Sequence, residues 1–214
     1  MLQIKIFSFN AFQVNTILLF DDTKECVIID AACYDEAEKN KLIQFIQKEG
    51  LKPVKLLNTH CHIDHLLGCN FLSDHYQIDL WIHEAGRSFL DEAPEHARVF
   101  GFTIDPIIAA LKFLDESSII KFGNQTLKIL YTPGHADGSI CFVNHEDKFV
   151  IVGDVLFRDS IGRTDLPTGD FSILQASIHN KLFSLPDDFT VIPGHGPETS
   201  IGYEKSNNPF VAIH

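Results

Sequence analysis

The run Thr59-His60-Cys61-His62-Ile63-Asp64-His65 constrains this chain more than any other stretch. Four potential metal ligands fall within six residues. In an extended backbone His60 and His62 project to the same side. A turn after His62 would bring Asp64 and His65 round to a second point nearby. A helix start near Leu66 would leave free N–H groups close to those side chains. The spacing therefore suits two adjacent ions better than one. Cys61 lies between two ligands and should point away from them, as a packed thiol and not a nucleophile.

Three further segments repeat one pattern: a short apolar strand, a glycine, then one ligand-type residue. Leu127 to Tyr131 leads into Thr-Pro-Gly-His135, Phe149 to Val152 into Gly-Asp154, and Thr190 to Ile192 into Pro-Gly-His195. With Val54 to Leu57 before His60, four strands end in ligand candidates. Strand ends are where α/β folds place binding sites, and glycine lets the backbone approach a crowded centre. One ion would take His60, His62 and His135. A second would take Asp64, His65 and His195, with Asp154 bridging the two. Imidazole and carboxylate donors without thiolate suit zinc, iron or manganese. Two ions roughly 3.5–4 Å apart can activate water at neutral pH and polarise a substrate oxygen.

The rest of the chain reads as mixed α/β. Leu2 to Phe9, Val14 to Phe20 and Cys26 to Asp30 are strand-like, with turn residues at 21–24. Tyr34 to Glu49 carries Ala37, Leu42, Ile43 and Ile46 on one helical face and stops at Gly50. Ser139 to Val143 is a further strand, and Phe171 to Leu185 reads as a late helix closed by Pro186. Glu84 to Ser118 reads as an insertion over one face, with helical fragments broken at Gly86, Pro94, Gly101 and Pro106. With no repeat or linker, residues 1–214 form one expected domain.

Composition narrows the function classes. The chain is 45% hydrophobic and 21% charged, as ordinary globular proteins are. A net charge of −12 would repel nucleic acid and anionic lipid, so neither is an expected partner. Five cysteines without a CxxC pair argue for reduced, buried thiols. The opening MLQIKIFSFNAF does not read as a secretory signal, and a cytoplasmic location is expected.

His-x-His-x-Asp-His, followed at a distance by His135, Asp154 and His195, resembles the metallo-β-lactamase superfamily over nearly the whole chain. The resemblance implies a four-layer αββα sandwich with the metals at one sheet edge. Gly153-Asp154-Val155-Leu156-Phe157, the segment Ser160 to Pro167 and the ending Glu204 to Phe210 resemble the small bacterial glyoxalase II-like branch, the hydroxyacylglutathione hydrolases. That resemblance implies cleavage of S-lactoylglutathione or a related small acyl thioester. It also implies two divalent ions, zinc first and iron or manganese as alternatives, with Asp64 and Asp154 as the catalytic carboxylates. Fuller glyoxalase II proteins hold glutathione through cationic residues in a C-terminal helical extension. No basic cluster follows Phe210 here. Arg158 and Arg163 are the candidate substrate cations, with Lys205 expected in solvent and Arg163 equally able to pair with Asp165. Weaker glutathione selectivity is therefore expected.

Asp30, at the end of a strand, is a candidate to orient a ligand histidine from behind. His75, His83, His96, His145, His179 and His214 lack paired spacing and read as surface or core residues. Some of the 18 phenylalanines, those between Glu84 and Ser118, are candidates to wall the pocket. The competing reading is a mononuclear iron enzyme resembling persulfide dioxygenases, with His60, His135 and Asp154 as a facial triad. A non-catalytic binding protein is disfavoured because all seven ligand positions are filled. A β-lactamase is disfavoured because Asp154, and not a cysteine, occupies the bridging position. The oligomeric state is left open.

Overall fold

The computed structural model describes residues 1–213, so His214 lies outside the described residues. Three antiparallel strands open the chain: β1 (Gln3–Phe9), β2 (Val14–Phe20) and β3 (Glu25–Ile29). Helix α1 (Glu36–Glu49) follows. Asp35 caps its N-terminus by accepting from the Glu38 N–H, and Gly50 ends it in the left-handed conformation at φ 66°. The chain returns as β4 (Lys52–Leu57), parallel to β3. Helix α2 (Cys69–Tyr76), β5 (Leu80–His83), α3 (Arg87–Val99) and β6 (Leu111–Leu114) complete the first half. The first sheet runs β1-β2-β3-β4-β5-β6.

The second half supplies β7 (Ile119–Phe122), β8 (Gln125–Tyr131), β9 (Ile140–Asn144), β10 (Phe149–Gly153), the small hairpin β11 (Leu156–Phe157) and β12 (Ser160–Ile161), α4 (Phe171–Ser177), β13 (Thr190–Pro193), β14 (Thr199–Ser200) and α5 (Ile201–Asn207). Its six-stranded sheet runs β14-β13-β10-β9-β8-β7, with β10 and β13 parallel.

The layers follow from alternation along strands buried on both faces. All seven residues of β2 are buried. Ile17 and Leu19 face a core shared with Leu127, Ile129, Phe142 and Ile151 of the other sheet. Leu18, with Ile28 and Leu56, packs instead under α1 and α2, against Leu42, Ile46 and Leu72. Val143, Val150 and Val191 of the second sheet pack outward on Leu174, Ile178 and Ile201. A side-chain period of two feeding two faces gives three hydrophobic layers, and so the expected αββα sandwich.

The segment 84–118 departs from expectation. It is not only a covering insertion, because β6 extends the first sheet in parallel with β5. Helix α3 also runs through Pro94 instead of breaking there. Phe89, Leu90, Ala93 and Ala97 bury one face of it, and that burial offsets the roughly 3 kcal/mol that an interior proline costs. The late helix also differs: α4 is regular only to Ser177, and residues 178–182 form a wider π-helical turn. Among the described residues no helix is long and apolar enough to cross a membrane. All five cysteines are buried free thiols.

Candidate metal centre

The four ligand-bearing strand ends meet at one edge of the sandwich. β4 leads through Asn58 and Thr59 to His60, and Ile63–His65 forms a single tight helical turn. β8 delivers His135, β10 delivers Asp154 and β13 delivers His195. Three groupings result whose ligand atoms lie within 4.8 Å of one another: His60, His62 and His135; His60, His65 and Asp154; and Asp64, His65 and His195. Asp154 reaches both histidine sets. Its Oδ2 is 3.7 Å from His135 Nε2 and 3.4 Å from His195 Nε2, and its Oδ1 is 3.4 Å from His65 Nε2. Asp64 Oδ2 lies 3.3 Å from His195 Nε2.

The ligand-type atoms face inward and meet mainly one another. His62 Nδ1 meets His135 Nε2 at 2.9 Å, and His65 Nε2 meets His195 Nε2 at 3.4 Å. His60 Nε2 and Asp154 Oδ1 are buried without a hydrogen-bond partner. Buried polar atoms left unpaired cost free energy unless something else satisfies them. Convergent imidazole nitrogens and carboxylate oxygens are the donors a pair of divalent cations requires, so the residues fit such ions.

The opposite ring nitrogens are anchored. His135 Nδ1 donates to the Arg163 carbonyl at 2.8 Å, and His195 Nδ1 donates to the Phe12 carbonyl at 2.9 Å. His65 Nδ1 sits 3.0 Å from Asp30 Oδ2. His60 Nδ1 lies 3.1 Å from Thr59 Oγ1. Such outer contacts fix tautomer and ring direction. Asp30 is fully buried, and it also accepts from the Thr59 N–H at 2.7 Å and the Thr59 hydroxyl at 2.8 Å. Asp30 thus stands behind the His65 ring, on the side away from the other ligand-type atoms.

The two histidine sets differ electrostatically. Burial, aided by neighbouring imidazoles, holds His60 well below the usual imidazole range and pushes His62 down to about 3; burial also lowers His135. Burial opposes charge on His65 and His195 too, but carboxylates outweigh it there. Asp64, Asp154 and Asp30 raise His65 well above its ordinary value, and Asp154 and Asp64 carry His195 up to about 10. A histidine must be neutral to ligate. At pH 7 the first set is ready, whereas the second must release protons. Loading the metal-free protein at pH 7 should therefore release protons as the second ion binds, and that ion's affinity should rise more steeply with pH than the first's. Calorimetry in buffers of different ionisation enthalpy measures the release. Equal pH dependence for both ions would contradict it.

Glycine is needed where β13 passes the site. A Cβ on Gly194 would overlap Asp154 Oδ1 and stand 2.8 Å from His65 Cε1. Gly194→Ala should thus cut bound metal and activity by roughly tenfold or more, on the scale of disturbed outer-shell contacts. Native metal content measured in that variant would contradict this. Cys61 does point away, with its thiol against Gly86 on the helical side. Burial pushes its pKa up, which leaves it a poor nucleophile. Cys61→Ala should keep most activity in a standard rate assay.

A cavity of about 380 Å³ opens onto the metal site. His62, Asp64, His135, Asp154 and His195 form its floor, and Phe12, Phe89, Val99, Phe100, Leu166 and Pro167 form its walls. Phe89 and Phe100 thus fill the wall role anticipated for that segment. Phe12 and His96, also in the lining, carried no signal of it in the sequence. Phe12 sits in an ordinary hairpin turn, and only tertiary contact brings it over His195. A second cavity of about 440 Å³ shares His135, Asp154, Arg163 and His195, and adds Arg158 and Ser160. Arg163 is held by Asp165 through two contacts of 2.7 Å, so its charge is largely occupied. Arg158 lies 5.4 Å from the Tyr203 ring and 3.9 Å from an Asp159 carboxylate oxygen. Lys205 pairs with Asp187 at 2.6 Å, away from the site. The Glu204–Phe210 segment has a bracing task. Buried Glu204 accepts from Asn208 Nδ2 at 2.7 Å, and Asn208 also donates to the Ser160 carbonyl at 3.0 Å, which holds the β11–β12 hairpin beside the His/Asp cluster.

An αββα sandwich whose strand ends carry paired His/Asp ligand sets defines a class, and the sequence falls within it: residues 9–195 match the Metallo-beta-lactamase superfamily model, and the chain belongs to that superfamily. Within it, the chain is 41% identical over 212 residues to "Hydroxyacylglutathione hydrolase GloC" of Haemophilus influenzae, a match covering 98% of each. Two solved structures are similar at TM-score 0.86. One is BLEG-1 B3 metallo-beta-lactamase, 35% identical over 99% of this chain and 100% of that one. The other is TTHA1623 in a di-iron-bound form, 34% identical over 96% and 99%.

Proposed function

We propose that this protein is a binuclear metal-dependent hydrolase that cleaves small acyl thioesters, in the manner of a hydroxyacylglutathione hydrolase. The observation that carries the reading is the pair of complete histidine sets spanned by Asp154 at the floor of an open cavity. The 41% identity to GloC supports the thioester class. Zinc is the first expectation for the ions. The likeness to the di-iron form of TTHA1623 makes iron the alternative to test.

Two divalent ions held there would supply Lewis acidity and a nucleophile from water at neutral pH. The chain's own groups do the rest. His60, His62 and His135 would hold one ion, Asp64, His65 and His195 the other, and Asp154 both. Asp64 is only partly buried and faces the cavity, so its free carboxylate edge can orient the attacking water and take up its proton. The apolar walls exclude bulk water and strengthen each polar contact at the floor. Arg158, at 3.9 Å from Asp159, is the less tightly paired cation and the better candidate for an anionic thiol carrier, since Asp165 engages Arg163 through two contacts of 2.7 Å.

The test compares kcat/KM for S-lactoylglutathione with that for the lactoyl thioester of a neutral thiol. Hydrolysis of both, with modest preference for glutathione, is expected. A strong glutathione preference that survives replacement of both Arg158 and Arg163 would contradict the assigned carrier contacts. Oxygen uptake with glutathione persulfide and no thioester turnover would move the protein to the mononuclear iron class. Opening of a cephalosporin ring at a rate exceeding any thioester would move it toward the activity in BLEG-1's name.

A further inference from the structure

The cavity above the metal floor is larger and less polar than a lactoyl group needs. At about 380 Å³ it lies within the roughly 300–1,000 Å³ range of pockets that take drug-sized ligands. A three-carbon hydroxyacyl group would leave most of it empty. Above the floor its walls are aromatic and aliphatic, and the polar side chains bordering them are few. His96 pairs with Glu92 at 3.4 Å, and Arg163 is tied to Asp165. The wall is also held in place. Phe12 packs on Phe100 at 5.5 Å and on Phe102 at 5.6 Å, and Phe102 packs on Tyr34 at 4.9 Å. The Phe12 carbonyl is the group that orients His195, so wall and floor share one turn. Val99 and Phe100 remain 76% and 48% exposed, apolar surface that a bound apolar group would cover.

Two cavities meet over the same four residues; Arg158 borders only the second, and Phe12, Phe89, Val99 and Phe100 border only the first. A thioester carbonyl placed over the metal floor has one substituent for each. Arg158 gives the second cavity a cation for an anionic carrier, which leaves the aromatic-walled first cavity for the other end. We infer that the cavity walled by Phe12, Phe89, Val99, Phe100, Leu166 and Pro167 is an acyl pocket, and that the protein selects thioesters with apolar acyl chains over lactoyl and acetyl thioesters. This rests on the thioesterase reading above and names its substrate class.

The experiment is a kcat/KM series on metal-loaded protein with one thiol and acyl groups from acetyl to octanoyl, plus lactoyl. Burying a methylene is worth ~0.8 kcal/mol, so the account expects about a fourfold rise per methylene until the pocket fills. Phe100→Ser and Val99→Asp, both at exposed positions, should shrink the octanoyl-to-acetyl ratio by roughly tenfold or more, as expected for lost apolar contact. A ratio taken within each variant is insensitive to its overall activity. Hydrolysis with a flat or falling series would overturn the acyl pocket and leave the thioesterase reading standing. Absence of hydrolysis for every thioester would overturn that reading instead. Calorimetry with uncleavable octyl and ethyl thioethers of the same thiol then decides the pocket separately. Tighter octyl binding with a negative heat-capacity change supports it, and equal binding overturns it.

Discussion

Asp154→Ala should abolish hydrolysis and weaken binding of both ions together. Its two oxygens lie among nitrogens of both histidine sets, so one substitution strips a shared negative charge from each. Two dications facing each other without that carboxylate are poorly screened, and the repulsion falls on both. The protein's electrostatics point the same way. Burial alone would keep Asp154 neutral, yet His65 and His195 drive its pKa well below the carboxylate range, so the site is built around its charge. A fall of at least a thousandfold in kcat, with metal content dropping below one ion per chain, is the expected size, in keeping with the roughly 10²–10³-fold loss of one oxyanion donor compounded by loss of the ions. Elemental analysis beside the rate assay checks it. Full activity in metal-replete Asp154→Ala would refute the bridging role.

Asp30→Ala should be the most damaging change outside the ligands themselves. The side chain is fully buried, accepts from the Thr59 N–H and the Thr59 hydroxyl, and sets its carboxylate 3.0 Å from His65 Nδ1. Removing it leaves the two Thr59 groups buried without their acceptor, at a cost of about 1–3 kcal/mol for each that stays unsatisfied, and takes the negative charge away from His65. It also frees the His65 ring to turn. Loss of such an outer partner typically lowers metal affinity or activity by roughly 10–100-fold. Asp30→Asn separates the two consequences. Its amide oxygen can still accept from Thr59, so much of the stability should return. Its neutral amide cannot replace the carboxylate charge beside His65, so the metal defect should remain. Thermal melts of the metal-free protein and competitive chelation give the two readouts. Equal stability and equal metal affinity in both variants would remove Asp30 from the account.

The metal site was legible because its residue types are scarce and its spacing carries geometry. His60 and His62 alternate as an extended chain requires, and each later ligand follows a short apolar strand and a glycine. The strands themselves were legible where both faces are buried, as in Val14–Phe20 and Phe149–Gly153. Legibility failed where tertiary burial overrode a local signal. Pro94 reads as a helix breaker, yet the contacts of Phe89, Leu90 and Ala97 hold the helix through it. β5 and β6 have four residues each, too few to show a period. The cavity wall was hardest, because Phe12, Val99 and Phe100 come from a turn and a helix end about ninety residues apart. Nothing local marks a phenylalanine as lining a site. Arg163 and Asp165, two residues apart, can pair on sequence alone, and the two 2.7 Å contacts show that pairing.

The most direct test of the two-ion account is a titration of metal-free protein with Zn²⁺, and in parallel Fe²⁺ under anaerobic conditions, following thioester hydrolysis and bound metal together. The account predicts that activity climbs until about two ions are bound per chain, as a two-metal clamp requires. It also predicts that Asp64→Ala and His195→Ala stop at one bound ion with activity largely lost. Full activity at one ion, unchanged in those two variants, would contradict it.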